Sequence, residues 1–189
     1  MKEILANIPD KRVDKNTTSL KFKEDLIEFF KDLKLKNCVE VGTSLGYSTY
    51  VLGHLFENVT TIDIDLNNIQ KATKFNSSMS NITFLHGNSA SSNWGVDCKF
   101  DAAFIDADHS YAAVIKDIES CIAHGSNNLL IVFDDYGLPD TKPGVKMAVD
   151  DVISKNILKV VKYIGEPKGN EPRIGKPLID WEGVICQVI

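Results

Sequence analysis

Cysteine is sparse. Four residues, Cys38, Cys98, Cys121 and Cys186, are scattered over 189 positions with no C-x-x-C pair and no nearby pair of histidines. That spacing speaks against a zinc site or a disulfide framework. Cys38 and Cys186 fall inside apolar runs, where buried free thiols are expected. Long hydrophobic runs are lacking too: the longest, Leu129-Leu130-Ile131-Val132-Phe133, is far short of the roughly 20 residues that cross a bilayer. Residues 1–10 carry no apolar stretch of the secretory kind, so a soluble cytoplasmic protein is expected. Positive charge is in deficit, with 26 acidic against 21 basic residues and a net charge of −5. That balance does not suit a nucleic-acid binder held by phosphate neutralisation, and the short apolar runs leave no membrane partner expected.

What is present is an ordinary globular composition, 43% hydrophobic and 25% charged, in a length that corresponds to one domain at roughly 150 residues each. The expected organisation is a single domain over 1–189 with a polar lead-in over 1–16. Two hydrophobic periods alternate after it. Leu20, Leu26, Ile27, Phe29, Phe30 and Leu33 recur at helical spacing, with Thr17, Thr18 or Ser19 available as a cap. Further helices are expected over 47–56, 67–75, 111–123 and 145–153. Strands rich in β-branched and aromatic residues are expected over 38–41, 59–64, 82–85, 100–105, 129–133, 158–164 and 183–189. Strands alternating with helices imply an α/β fold whose mainly parallel sheet is covered on both faces. The connection over 165–181 is rich in Gly and Pro and holds no helix pattern, so the last two strands are expected to be antiparallel.

In such sheets ligands bind beyond the carboxyl ends of the strands. The segment Glu40-Val41-Gly42-Thr43-Ser44-Leu45-Gly46-Tyr47-Ser48 closes the first strand and opens a helix. Its glycines let backbone approach a ligand, and the helix N–H groups face any anionic part of it. The spacing is G-x-x-x-G and not the G-x-G-x-x-G of dinucleotide-binding turns. Asp63 ends the second strand 21 residues after Gly42; an acid there accepts from both ribose hydroxyls, or else simply ends a strand. Asn88 and Ser89 follow the third strand, as an adenine-edge pair or as a polar turn.

The 40–48 segment resembles the first motif of class I S-adenosylmethionine-dependent methyltransferases, and its Gly46-Tyr47-Ser48 ending is similar to the catechol O-methyltransferase branch. Residues 100–111, including Asp106-Ala107-Asp108-His109-Ser110, resemble the corresponding motif of small O-methyltransferases of the macrocin type. The resemblance implies a Rossmann-like sheet of order 3-2-1-4-5-7-6 with the last strand antiparallel. It implies that Gly42 and Gly46 cradle the methionine part of S-adenosylmethionine, Ser48 meets its carboxylate, Asp63 holds the ribose, and Asn88 and Ser89 lie at the adenine. Glu40, Thr43, Ser44, Tyr47, Ile64 and Asp106 complete the expected cofactor contacts.

Asp106 follows the fourth strand, and Asp134 and Asp135 follow the fifth. Converging carboxylates raise one another's proton affinity, and a hard divalent cation relieves the conflict. In the resembling enzymes these positions bind Mg²⁺, or occasionally Ca²⁺. Catechol-type members carry Asp-Asn where this chain has Asp134-Asp135, whereas macrocin-type members carry two aspartates. The base is either Asp108 or His109. His54, His86 and His124 are expected to be structural, and Trp94, Tyr111, Tyr136 and Trp181 are candidates for an acceptor wall. The expected function is Mg²⁺-dependent O-methylation of a small hydroxylated acceptor, a sugar or a phenol. No Asn/Asp-Pro-Pro-Tyr/Phe segment of nucleic-acid or protein N-methylation follows the fourth strand. The competing readings are a silent cofactor-binding protein and a nicotinamide-dependent oxidoreductase. Dimerisation is common among such enzymes, so a homodimer is among the assemblies the resemblance implies.

Overall fold

The computed structural model describes residues 2–8, 18–91, 94–139, 144–172 and 175–189. Seven strands form one sheet in the order β3-β2-β1-β4-β5-β7-β6. Strands β1 (Asn37–Val41), β2 (Asn58–Asp63), β3 (Ile82–His86), β4 (Phe100–Ile105) and β5 (Gly125–Phe133) are parallel, and β7 (Gly183–Val188) runs antiparallel to β5 and to β6 (Leu158–Ile164). Among the described residues six helices accompany it: α1 (Lys2–Ala6), α2 (Leu20–Phe30), α3 (Tyr47–Leu55), α4 (Leu66–Phe75), α5 (Tyr111–His124) and α6 (Val145–Ser154).

Alternation along the central strands divides the core into two layers. Val39, Val41, Ala103, Ile105, Ile131 and Phe133 meet Val114 and Ile118 of α5 and Val149 of α6. Cys38, Ala102, Phe104 and Val132 point the other way, onto Phe22 and Leu26 of α2 and Val51 and Leu52 of α3. A strand buried on both faces must be apolar at nearly every position, which is why 102–105 and 129–133 read as apolar runs. A side chain such as Phe104, 1% exposed, contributes about 1.5–3 kcal/mol by leaving water.

Ser19 caps α2, accepting from the Phe22 N–H at 3.0 Å; Thr17, the other flank of the expected cap, lies outside the described residues, as do 9–16 of the lead-in. Within the polar lead-in Lys2–Ala6 form α1, and Ile4, Leu5 and Ile8 pack on the α2–α3 layer. One expectation needs correction. Strand β5 begins at Gly125 and not near 129: Gly125 pairs with Phe100, and the register shifts before Ala102 meets Leu130. The polar run Ser126-Asn127-Asn128, which has no apolar period, lies across that register shift. Among the described residues no helix is long and apolar enough to cross a membrane.

Candidate functional site

Strand β1 lies between β2 and β4, so chain direction diverges on its two sides and a crevice opens beyond its carboxyl end. The hydrogen-bond ladder continues one residue past each strand. The N–H of Gly42 donates to Ile62 (2.9 Å), that of Asp106 to Val41 (2.9 Å), that of Asp134 to Ile105 (3.2 Å) and that of Gly87 to Asp63 (3.0 Å). The loops therefore leave the sheet at one level. Around them lies a cavity of about 680 Å³, walled by Gly42, Ser44, Asp63, Asn88, Asp106 and His109 among others.

The two glycines of the first turn are required by the protein's own packing. Gly42 has φ +95°, and a Cβ there would lie 2.0 Å from the Asp106 carbonyl oxygen. Gly46 has φ +79°, and its Cβ would press on Asn76 and Ala72 of the α4 end at 2.6–2.8 Å. They let strand β4 and helix α4 close onto the turn. Ser44, between them, takes φ 48°, and its N–H donates to Asp63 Oδ2 at 2.9 Å. Asp63 also accepts from the Asp65 N–H at 2.8 Å and from the Asn68 amide at 3.2 Å. Its carboxylate is thus fixed at the mouth of β2 before any ligand arrives. Asp65, in contrast, caps α4 through the Asn67 N–H at 2.8 Å.

Glu40 does not reach the cavity. It is fully buried beneath the turn, where Oε2 accepts from Thr49 and Thr61 at 2.5 Å each. Thr43 completes the chain, 2.6 Å from Thr61, while Glu40 Oε1 has no hydrogen-bond partner. Burial pushes the Glu40 carboxyl up to about 8; the two threonines oppose this, and the charges of Asp106 and Asp63 add to it. Thr43, Tyr47 and Ser48 line a second, narrow cavity that shares Gly42, Ser44 and Asp106 with the main one.

At the far wall, Asn88 accepts from the Ala90 N–H at 2.9 Å, which makes it a turn residue as well as a lining one. Ser89 donates to Asp117 Oδ1 at 2.6 Å, and burial raises the Asp117 carboxyl above its usual range. Ile64 is 72% exposed at the rim, a large apolar side chain left to solvent. Asn68, Lys116 and Asp117 also line the cavity and were not among the expected site residues. The last two are the next turn of the α5 face that begins at Ala112 and Ala113, an i, i+4 relation readable from sequence once the helix is oriented.

The acidic end gathers Asp106, His109 and Asp135, whose ligand atoms all lie within 4.8 Å of one another. His109 Nδ1 is 3.1 Å from Asp135 Oδ2, and Nε2 is 3.6 Å from Asp106 Oδ1. Asp135 takes φ 58°, a left-handed conformation uncommon outside glycine that turns its buried carboxylate back toward His109. Asp134 is equally buried, at 2% exposure, but falls outside this group. Asp108 accepts from the Ser110 N–H at 2.8 Å, and the bonds from Ser110 hold its carboxyl below the usual range.

Of the other candidates, Trp94 stacks on His124 at 4.1 Å in the core, its indole N–H donating to Ser89. Tyr111 bonds Asp151 at 2.7 Å, and Tyr136 is buried with its hydroxyl on Asp150. His54, His86 and His124 each bond a backbone carbonyl. Cys38, Cys121 and Cys186 are buried free thiols, and Cys98 is exposed.

A family model described as a methyltransferase domain matches residues 39–136, from β1 through the turn that carries Asp134 and Asp135. Comparison with curated protein sequences gives no match. Solved structures match over nearly the whole chain. An O-methyltransferase from Bacillus cereus in complex with S-adenosylhomocysteine has 15% identity and TM-score 0.70, covering 100% of this chain and 89% of that one. The N-methyltransferase NodS from Bradyrhizobium japonicum has 15% identity and TM-score 0.72, covering 99% and 97%. An rRNA methylase from Streptococcus thermophilus has 15% identity and TM-score 0.62, covering 91% and 99%. At these identities the likeness is one of fold, shared by proteins named for oxygen, nitrogen and RNA methylation.

Proposed function

Because the chain belongs to the methyltransferase-domain family, we propose that it transfers the methyl group of S-adenosylmethionine to a hydroxyl of a small acceptor, of sugar or phenol type, with help from a divalent cation. The observation that carries this reading is the meeting of Asp106 and His109, which line the cavity beyond β1 and β4, with the buried Asp135.

The cavity chemistry fits the methyl donor. Asp63 is preset as an acceptor for vicinal hydroxyls, and the exposed face of Ile64 offers an apolar surface to a base. Asn88 and Ser89 lie beyond it, at the depth where the adenine edge belongs, and Asp106 stands between the two cavities. The donor set also fits a cation: Asp106 and Asp135, with Asp134 beside them, are hard oxygen ligands of the kind Mg²⁺ takes. Such an ion, when bound, lowers the proton affinity of the acceptor hydroxyl and fixes its position.

The chain's own residues supply placement and the proton's destination. Asp135, 3.1 Å from His109 Nδ1, orients the ring, and the imidazole takes the acceptor proton. The deprotonated oxygen then forms its bond to the methyl carbon as the carbon–sulfur bond breaks, and S-adenosylhomocysteine leaves. His109 is better suited than Asp108, because neutral imidazole is basic near pH 7 whereas the Asp108 carboxylate is stabilised as the anion by Ser110. Net charge −5 favours a small acceptor over RNA.

The test is transfer of labelled methyl from S-adenosylmethionine to a panel of sugars and phenols, in Mg²⁺ and in chelator. Labelled product that disappears in chelator supports the reading. Binding of the donor without transfer to any hydroxyl compound, with or without metal, favours the silent cofactor-binding protein instead.

A further inference from the structure

Beyond Asp135 the chain enters a junction of three segments that the mechanism above does not use. Tyr136 follows directly and is 3% exposed. Its hydroxyl donates to Asp150 Oδ1 at 2.7 Å and accepts from Lys146 Nζ at 2.7 Å. The same ammonium lies 2.9 Å from Asp180 Oδ2 and 3.2 Å from Asp150 Oδ2. A lysine has three hydrogens to give, and here three oxygens face them. One comes from the turn after β5, one from α6 and one from the connection that precedes β7.

That connection folds back on itself. The Gly169 N–H donates to the Leu178 carbonyl, the Leu178 N–H to the Asn170 carbonyl and the Glu182 N–H to the Glu166 carbonyl, each at 2.9 Å. Its returning arm lies on the turn after β5: the Ile179 N–H donates to the Gly137 carbonyl at 2.8 Å. A Cβ on Gly137 would lie 2.3 Å from the Trp181 carbonyl oxygen and 2.4 Å from that of Asp180, so only glycine lets the two segments touch. Lys146, through Asp180, fastens the arm in place.

Asp135 needs such a frame. Its φ of 58° is costly for a residue with a side chain and persists only where the surroundings over-determine it. On the strand side, the Asp134 N–H continues the ladder to Ile105. On the far side, the Leu138 N–H closes the turn onto the Asp135 carbonyl at 3.1 Å, and the Lys146 junction fixes Tyr136. The turn is held at both ends, and the carboxylate that meets His109 lies between them.

We infer that Lys146 is a positioning residue for Asp135: by joining Tyr136, Asp150 and Asp180 it holds the turn after β5 in the conformation that presents the Asp135 carboxylate to the cation. The inference rests on the cation reading above. It adds a residue that stands at no strand end and lines neither cavity.

Two calorimetric titrations separate positioning from mere support of the fold: S-adenosylhomocysteine into the protein, and Mg²⁺ into the protein saturated with it. Lys146→Met is expected to weaken Mg²⁺ by about tenfold or more, as residues that orient a metal ligand do, with S-adenosylhomocysteine unchanged. Tyr136→Phe keeps the ring and removes the oxygen that Lys146 reaches, and it gives the same selective loss. Should Lys146→Met fail to fold, Tyr136→Phe decides alone. Wild-type Mg²⁺ affinity in either folded variant, or equal weakening of both ligands, overturns the inference while leaving the cation reading intact. A wild-type protein that binds S-adenosylhomocysteine but no Mg²⁺ overturns both.

Discussion

The most exposed part of this account to direct measurement is a residue that never touches solvent. Glu40 sits beneath the first turn with no exposed surface, and its carboxyl is raised from 4.5 to about 8, chiefly by burial. Between those two values the folded protein holds a proton that the unfolded chain has released. Stability must then fall as pH rises from about 4.5 to 8, because the unfolded state is the one that binds fewer protons. Each tenfold difference in proton affinity corresponds to about 1.4 kcal/mol, so the ceiling on the loss is about 5 kcal/mol. Glu40→Gln keeps the shape and the acceptor for Thr49 and Thr61 but cannot ionise. Urea unfolding of both proteins at half-unit steps from pH 5 to 8.5 is the assay. The wild type is expected to lose stability relative to the Gln variant steadily across that range, and the gap is expected to be largest at the alkaline end. Parallel curves would refute the reasoning, since they would mean that Glu40 ionises alike in the folded and unfolded states.

Other consequences follow from the same geometry. Gly42→Ala puts a Cβ 2.0 Å from the Asp106 carbonyl oxygen at a φ of +95°; we expect a loss of about 3 kcal/mol or more in thermal or urea unfolding, and a melting temperature equal to wild type would contradict the packing described. Asp63→Ala removes the acceptor shared by Ser44, Asp65 and Asn68 and is expected to weaken S-adenosylmethionine by about tenfold or more in calorimetry. His109→Ala is expected to lower turnover by about a hundredfold or more with donor affinity near wild type, and Asp108→Asn to lower it far less; the reverse order in steady-state rates would move the base to Asp108.

The strands were legible because most central ones carry apolar stretches between helical periods, whereas their order came from the resemblance of the 40–48 and 100–111 segments. Strand β6 is legible for a different reason, as a β-branched edge flanked by turns. Where a segment owes its structure to a neighbour, the sequence is silent: β5 starts early because Gly125 pairs with Phe100 across a register shift, and Ile4, Leu5 and Ile8 of the α1 region pack on the α2–α3 layer. At the site, strand-end position alone brought out Asp63, Asp106 and Asp135. Depth was not readable. Glu40 belongs to the same motif as Gly42 yet lies below the turn, and Asp134 adjoins Asp135 yet stays outside the group with His109. Lys116 and Asp117 were missed since only the orientation of α5 brings them to the cavity.

The claim on which everything else depends is that the cavity beyond β1 and β4 receives S-adenosylmethionine. Calorimetric titration of that compound into the wild-type protein and into Asp63→Ala tests it most directly. One-to-one micromolar binding to the wild type, weakened in the variant, is the predicted result; equal binding by both proteins, or none by the wild type, would contradict the account.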